Sequence, residues 1–210
     1  MLTVHHLRIS QSERIVWLCE ELGLDYDLRL YNRREDNRMA PDDYKALHPM
    51  GIAPVIEDED LVLGESGAIC EYIARKYGGN RLSPGPDDAD FAGHLFWFHF
   101  SNATFMTNGM MALAAQSAGA TELPAFVADR GAKGWQLAEA RLAESPFFGG
   151  RNLTLADIMM GFNLTTSRAF GGASLATFPN IAAYLQRIGE RPAYQTAMAK
   201  AEPGMAPMLA

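Results

Sequence analysis

With 48% hydrophobic and 20% charged side chains, this 210-residue chain has the make-up of a water-soluble globular protein, long enough for one large domain or two small ones. A formal charge of −7, with no basic cluster interleaved with aromatics, excludes a nucleic-acid surface, and no apolar run reaches the roughly 20 residues that cross a bilayer. The opening MLTVHHLRISQSER lacks the basic, apolar and small-residue succession of a secretory signal, so the expected location is the cytoplasm.

The first eighty residues alternate between the periods of strand and helix. Leu2–His6 is expected as a strand. From Glu13 to Leu22 the apolar Ile15, Val16, Cys19 and Leu22 share one helical face, and Gly23 ends it. Tyr26–Tyr31 alternates as a second strand. After the polar stretch 32–40, a short helix is expected to begin near Pro41, a residue suited to the first helical position. Pro54–Glu57 and Leu61–Leu63 form a hairpin around the acidic turn Asp58–Asp60, and a helix then runs from about Ser66 to Tyr77. The order βαβ followed by αββα predicts a thioredoxin-like α/β domain over 1–80.

Pro84, Gly85 and Pro86 mark residues 81–87 as a linker. Beyond it the strand signal disappears, and segments near 88–117, 122–144, 154–169 and 178–200 have helical spacing. An all-helical second domain, 88–210, is therefore expected. Within it Thr154 and Asp157 form a capping box, with Leu153 and Ile158 placed for a hydrophobic staple. Charge divides with the domains: residues 1–80 hold nine basic against fifteen acidic side chains, and residues 81–210 hold nine against ten. Cys19 and Cys70 stand 51 positions apart inside apolar helical patterns, so they are expected as buried small hydrophobes, with no dithiol or metal cluster.

Three segments could carry chemistry. The first is the turn Ser10-Gln11-Ser12-Glu13-Arg14, where a strand feeds a helix start and unpaired N–H groups favour an anion. A serine hydroxyl there can donate to a thiolate; a thiol with a pKa of about 8.5 is only about 3% ionised at pH 7. Equally, Ser10 and Glu13 have capping-box spacing, so Ser10 can simply start the helix. The second is His48-Pro49-Met50-Gly51-Ile52-Ala53-Pro54-Val55, where a proline before a strand can be cis in a tight turn or trans in an ordinary loop. The third is Gly64-Glu65-Ser66-Gly67 at another helix start. Glu65 and Ser66 there suit the ammonium and carboxylate of an amino-acid head group, or serve as a solvated charge and a cap.

Taken together, HHLRISQSERIVWLCEELGLDYDL, HPMGIAPVIEDEDLVLGESGAICEYIARKYG and NLTLADI resemble the cytosolic glutathione transferase family, in its serine-type bacterial and fungal branch. The resemblance implies that Ser10, with Ser12 as runner-up, activates the glutathione sulfur, with Arg14 behind it. It implies further that Ile52, Pro54, Val55, Glu65 and Ser66 form the glutathione site. Pro54 matches the family's cis-proline, and Val55 follows it, where backbone pairs with the cysteinyl part. Many relatives have a lysine where this chain has Ile52, so Arg38 or another basic side chain would have to hold the glycyl carboxylate. The implied reaction joins the glutathione thiolate to a small apolar electrophile, without metal or tightly bound cofactor, in a homodimer. Glutathione-dependent disulfide or peroxide reduction, or a non-catalytic binding module, are the alternatives. The electrophile is expected beside the first helix of the bundle, where Phe96, Phe100, Phe105, Met106, Met110 and Met111 are concentrated.

Overall fold

The computed structural model describes residues 1–171 and 174–210, and the chain divides into two compact units. The first comprises residues 1–83 and 188–208; the second comprises residues 84–187 and 209–210.

In the first unit, strands β1 (Leu2–Leu7), β2 (Asp27–Tyr31), β3 (Val55–Asp58) and β4 (Leu61–Leu63) form one mixed sheet in the order β2-β1-β3-β4. β2 lies parallel to β1, with Thr3 opposite Asp27, as the crossover helix α1 (Glu13–Leu22) requires. β3 runs antiparallel to β1, with His5 opposite Val55, and β4 closes the hairpin. Helix α2 (Asp42–Lys45) is one turn long; Pro41 keeps an extended backbone and precedes the helix instead of opening it. Helix α3 (Ser66–Lys76) buries Ile69, Cys70, Ile73 and Ala74, a spacing that repeats one face every turn. On α1 the side chains of Ile15, Val16, Leu18 and Cys19 are wholly buried. Each large one contributes about 1.5–3 kcal/mol relative to exposure. Burial pushes the Cys70 thiol up to about 12 and raises Cys19 as well, so both cysteines are inert filling.

The expected helix over 178–200 is two helices, α8 (Pro179–Gly189) and α9 (Pro192–Ala201), because Pro192 cannot donate within a continuing helix and opens a new one instead. α9 belongs to the first unit, and thus not to the helical domain that a division at 81–87 would give it. It buries Tyr194, Ala197, Met198 and Ala201 and lies against α1, with the Trp17 and Tyr194 rings edge to face at 5.0 Å. Arg191 donates twice to Glu21 at 2.7 Å, and Lys200 meets Glu20 at 2.6 Å.

Asp58 ends β3, buried, and does not lie in an open turn. Burial alone would raise its pKa, but Lys76, Tyr77 and Tyr72 donate to one carboxylate oxygen at 2.7, 2.6 and 2.7 Å and bring it down to about 2. A depressed folded pKa contributes stability that is complete above the unfolded value and is lost as pH falls through the folded one. Asp58→Asn should therefore unfold more easily than wild type at pH 7, by about 1–2 kcal/mol. That gap should close between about pH 4 and pH 2 in urea titrations.

The second unit contains helices α4 (Phe91–Phe100), α5 (Thr107–Ser117), α6 (Ala125–Glu144) and α7 (Leu155–Leu164), together with the body of α8. Residues Ser101–Met106 join α4 to α5 as a π-helical stretch. The shifted register lets the Ser101 carbonyl accept from Asn163 at 3.1 Å, while the Ser101 hydroxyl donates to the Met159 carbonyl at 2.8 Å. At the start of α7 the capping box forms between Thr154 and Asp157, with Leu153 and Ile158 both buried. Gly149 passes so close to it that a Cβ would fall 2.2 Å from Thr154 Oγ1.

Candidate functional site

The three segments singled out in the sequence are brought together in the first unit. β1 delivers the chain to Ile9, whose φ of 54° is unusual for a β-branched residue. The Ile9 N–H donates to the Glu202 carboxylate, and Arg33 donates to the carbonyls of Arg8 and Ile9 at 2.9 and 2.8 Å. These bonds hold the turn in which Ser10 and Ser12 stand.

Ser10 does not start α1: the helix begins at Glu13 with Ser12 in the capping position. Glu13 N–H donates to the Ser10 carbonyl at 3.2 Å, whereas the Ser10 hydroxyl accepts from Ser12 N–H at 3.2 Å. Ser10 Oγ and Ser12 Oγ are 2.7 Å apart. Ser12 Oγ in turn lies 2.8 Å from His6 Nδ1 and accepts from Leu7 N–H at 3.1 Å. Ser12 is wholly buried, while Ser10 is 6% exposed, so Ser10 is the more accessible of the two serines.

Arg14 is the hub behind the turn. Its guanidinium donates to Gln11 Oε1 at 2.6 Å and to Ser66 Oγ at 3.1 Å. Ser66 Oγ also donates to Gln11 Oε1 at 3.2 Å, and Gln11 Nε2 donates to the Ala53 carbonyl at 3.0 Å. Burial lowers Arg14 to about 10, which leaves it protonated at neutral pH. One buried cation thus ties the first turn, the start of α3 and the Ala53–Pro54 turn, whose peptide bond is cis.

Ser66 is the first residue of α3 and points at Arg14 instead of capping; Glu65 takes the capping position without a side-chain hydrogen bond. Glu65 is exposed and has φ 66° and ψ 110°, a costly backbone for a residue with a Cβ. Val55 is 1% exposed and set in the sheet opposite His5, whereas Ala53, on the other side of Pro54, is half-buried. Ile52 is 42% exposed. Arg38 accepts from Arg33 through its carbonyl in the 32–40 loop. Lys45, which sequence reasoning passed over, has its side chain beside Gly51: a Cβ there would meet Lys45 Cβ and Cγ at 3.5 Å.

Of the bundle residues named in advance, Phe96, Met110 and Met111 are exposed, and Phe100, Phe105 and Met106 are half-buried. Phe100 and Met111, with Thr104, Asn108, Arg130 and Leu137, line a cleft of about 420 Å³.

The first unit thus combines a mixed four-stranded sheet with a cis-proline turn and a serine-bearing strand-to-helix turn, and a helical unit follows it in sequence. Residues 10–76 match the glutathione S-transferase N-terminal domain, and residues 102–192 match the glutathione S-transferase C-terminal domain. The chain is 31% identical to glutathione S-transferase 3 of Schizosaccharomyces pombe, over 96% of this chain and 88% of the relative. It is 29% identical to glutathione S-transferase GstB of Escherichia coli K12, over 88% and 90% of the two chains. A solved glutathione S-transferase from Actinobacillus pleuropneumoniae superposes with a TM-score of 0.85 at 34% identity, covering 96% of this chain and 93% of that one. The chain belongs to the glutathione S-transferase family.

Proposed function

We propose that this transferase binds glutathione on its first unit, ionises the thiol at Ser10 and directs the thiolate at a small apolar electrophile. The observation that carries the reading is the Arg14–Gln11–Ser66 network, which ties the serine turn to the Ala53 carbonyl, 42 positions from Gln11, and to the start of α3 at Ser66, 55 positions from Gln11. In this reading Glu65 takes the γ-glutamyl ammonium, and the start of α3 at Ser66 takes its carboxylate. The cysteinyl backbone pairs at Ala53, beside Pro54, in preference to the enclosed Val55. Lys45, beside Gly51 and close in sequence to Ile52, is the basic side chain that supplies the glycyl-carboxylate contact in place of the family's lysine. The exposed apolar side chains on α4 and α5 serve the electrophile and the contact with a second copy in a homodimer.

Calorimetry with millimolar glutathione, followed by turnover assays with an aryl halide and with a small hydroperoxide or disulfide, tests the proposal. Binding together with aryl-halide turnover supports conjugation. Binding with turnover of the hydroperoxide or disulfide alone replaces conjugation with glutathione-dependent reduction. No binding by a folded protein makes the chain a non-catalytic member of its family.

A further inference from the structure

The Ser10 turn is backed by a continuous chain of hydrogen-bonding groups that ends far away in sequence. Ser10 Oγ meets Ser12 Oγ at 2.7 Å, Ser12 Oγ meets His6 Nδ1 at 2.8 Å, and His6 Nε2 meets Glu202 Oε1 at 3.1 Å. His6 and Ser12 are wholly buried, and Glu202 is 4% exposed. We propose that the thiol proton of bound glutathione leaves through Ser10 and Ser12 to His6, where Glu202 holds the imidazolium, so that His6 and Glu202 are positioning residues of the transferase. The proposal rests on the reading of Ser10 as the residue that meets the sulfur.

The donors and acceptors close in both states of the chain. Burial opposes ionisation of Glu202, but bonds from His6, the Ile9 N–H and Arg8 outweigh it and hold its pKa below the usual carboxylate range. As a carboxylate it can only accept, so His6 Nε2 carries a hydrogen; in the resting chain of the proposal the Ser12 hydroxyl donates to His6 Nδ1 at 2.8 Å in preference to the Leu7 carbonyl at 3.3 Å. Ser12 Oγ then accepts from Leu7 N–H and from the Ser10 hydroxyl. Ser10 Oγ, which already accepts from Ser12 N–H, keeps a lone pair for a thiol.

In the transfer the S–H bond breaks and a bond from that proton to Ser10 Oγ forms. The former Ser10 proton passes to Ser12 Oγ, and the former Ser12 proton passes to His6 Nδ1. Every bond in the chain has then reversed direction. His6 donates to Ser12, Ser12 donates to Ser10, and Ser10 donates to the new thiolate. The net change is one S–H broken and one N–H made, with the positive ring facing a carboxylate. Once the sulfur has been alkylated, the chain runs back and Ser10 releases the proton to water.

The surroundings of His6 suit this role. Glu202, from the segment after α9, is the charged partner on its Nε2; Arg8 donates to the other Glu202 oxygen at 3.1 Å, and Arg33 stands behind Arg8 and Ile9. The turn into α1 presents Ser12, and the neighbouring His5 lies on the opposite face of β1 with Glu57 at 3.5 Å.

The test titrates the ultraviolet absorbance of the enzyme-bound thiolate in wild type, His6→Asn and Glu202→Gln, beside steady-state kinetics and glutathione affinity. Asparagine offers Ser12 a hydrogen-bond partner but takes no proton. His6→Asn should raise the bound thiol pKa by about one unit or more. It should also lower kcat at neutral pH about 10-fold or more, with the glutathione Kd within about threefold of wild type. Glu202→Gln, which keeps the acceptor for His6 and removes its charge, should shift the titration in the same direction by less, and it carries the test if His6→Asn does not fold by circular dichroism. An unshifted titration in the folded variants, or weaker binding with an unshifted titration, overturns the proposal. Ser10→Ala separates the two readings. Thiolate lost in Ser10→Ala but intact in the other two variants sinks the relay alone. Thiolate intact in Ser10→Ala sinks the role of Ser10 as well.

Discussion

Ser10→Ala should lower kcat/KM with an aryl halide about 10- to 100-fold at pH 7, the effect of losing one hydrogen bond to a charged group. Lowering a thiol from about 8.5 to about 6.5 takes roughly 2.7 kcal/mol of preference for the thiolate. The N-terminal end of α1 can supply part of that, and a hydroxyl aimed at the sulfur supplies the rest. Ser10→Ala also strips the buried Ser12 N–H of its side-chain acceptor, so it should cost about 1 kcal/mol of stability. Ser12→Ala should cost more. It strips Leu7 N–H and His6 Nδ1 of their buried partner, so it should cost about 1–3 kcal/mol of stability as well as activity. Paired kinetics and urea unfolding of the two variants check the distinction, and equal activity losses with equal destabilisation would argue against it.

The second large effect concerns the helical unit. Asp157→Ala should destabilise it by about 3–5 kcal/mol, since two buried N–H groups lose their acceptor at once. Those are Phe148 N–H at 2.8 Å and Thr154 N–H at 2.9 Å, both held by a carboxylate with no exposed surface. Thr154→Ala removes only the cap hydroxyl and should cost about 1 kcal/mol. Burial outweighs the bonds to Asp157 and pushes it up to about 6, so its own contribution favours the protonated form and weakens as pH rises through that value. This is opposite in sign to Asp58. Urea unfolding followed by circular dichroism, with the three proteins compared at pH 5 and pH 8, measures both effects.

The thioredoxin-like order could be read directly because the strands and helices of residues 1–80 keep clean periods, and the buried cysteines and the α7 capping box lay in local patterns, whereas the local sequence left Pro54 cis or trans and only the family resemblance implied cis. The break at Pro192 was also written in the chain, as a proline suited to the first turn of a new helix, but the apolar spacing on either side masked it. The π-helical stretch was not legible, since no local pattern marked it and its first residue, Ser101, bonds Asn163, 62 positions away. The same holds for the support of the site. Two histidines inside a wholly buried strand signalled that polar partners must exist, but nothing local pointed to Glu202. The roles of Ser10 and Ser12 separate only when their burial is known, and Lys45 becomes relevant only when α2 is seen to bring it beside Gly51.

The fastening of Ile9 by Glu202 has a consequence for how the protein is made. On the ribosome the sheet and α1 emerge first, and they can pair long before α9 leaves the exit tunnel. Until then α1 has no Trp17–Tyr194 contact, and the Ile9 backbone has no carboxylate to hold its unusual conformation. A nascent chain that stops short of residue 202 therefore carries its serines in an unsecured turn. The turn and the carboxylate that fastens it are thus made about 190 residues apart in time, and the turn is set only after Glu202 has joined it.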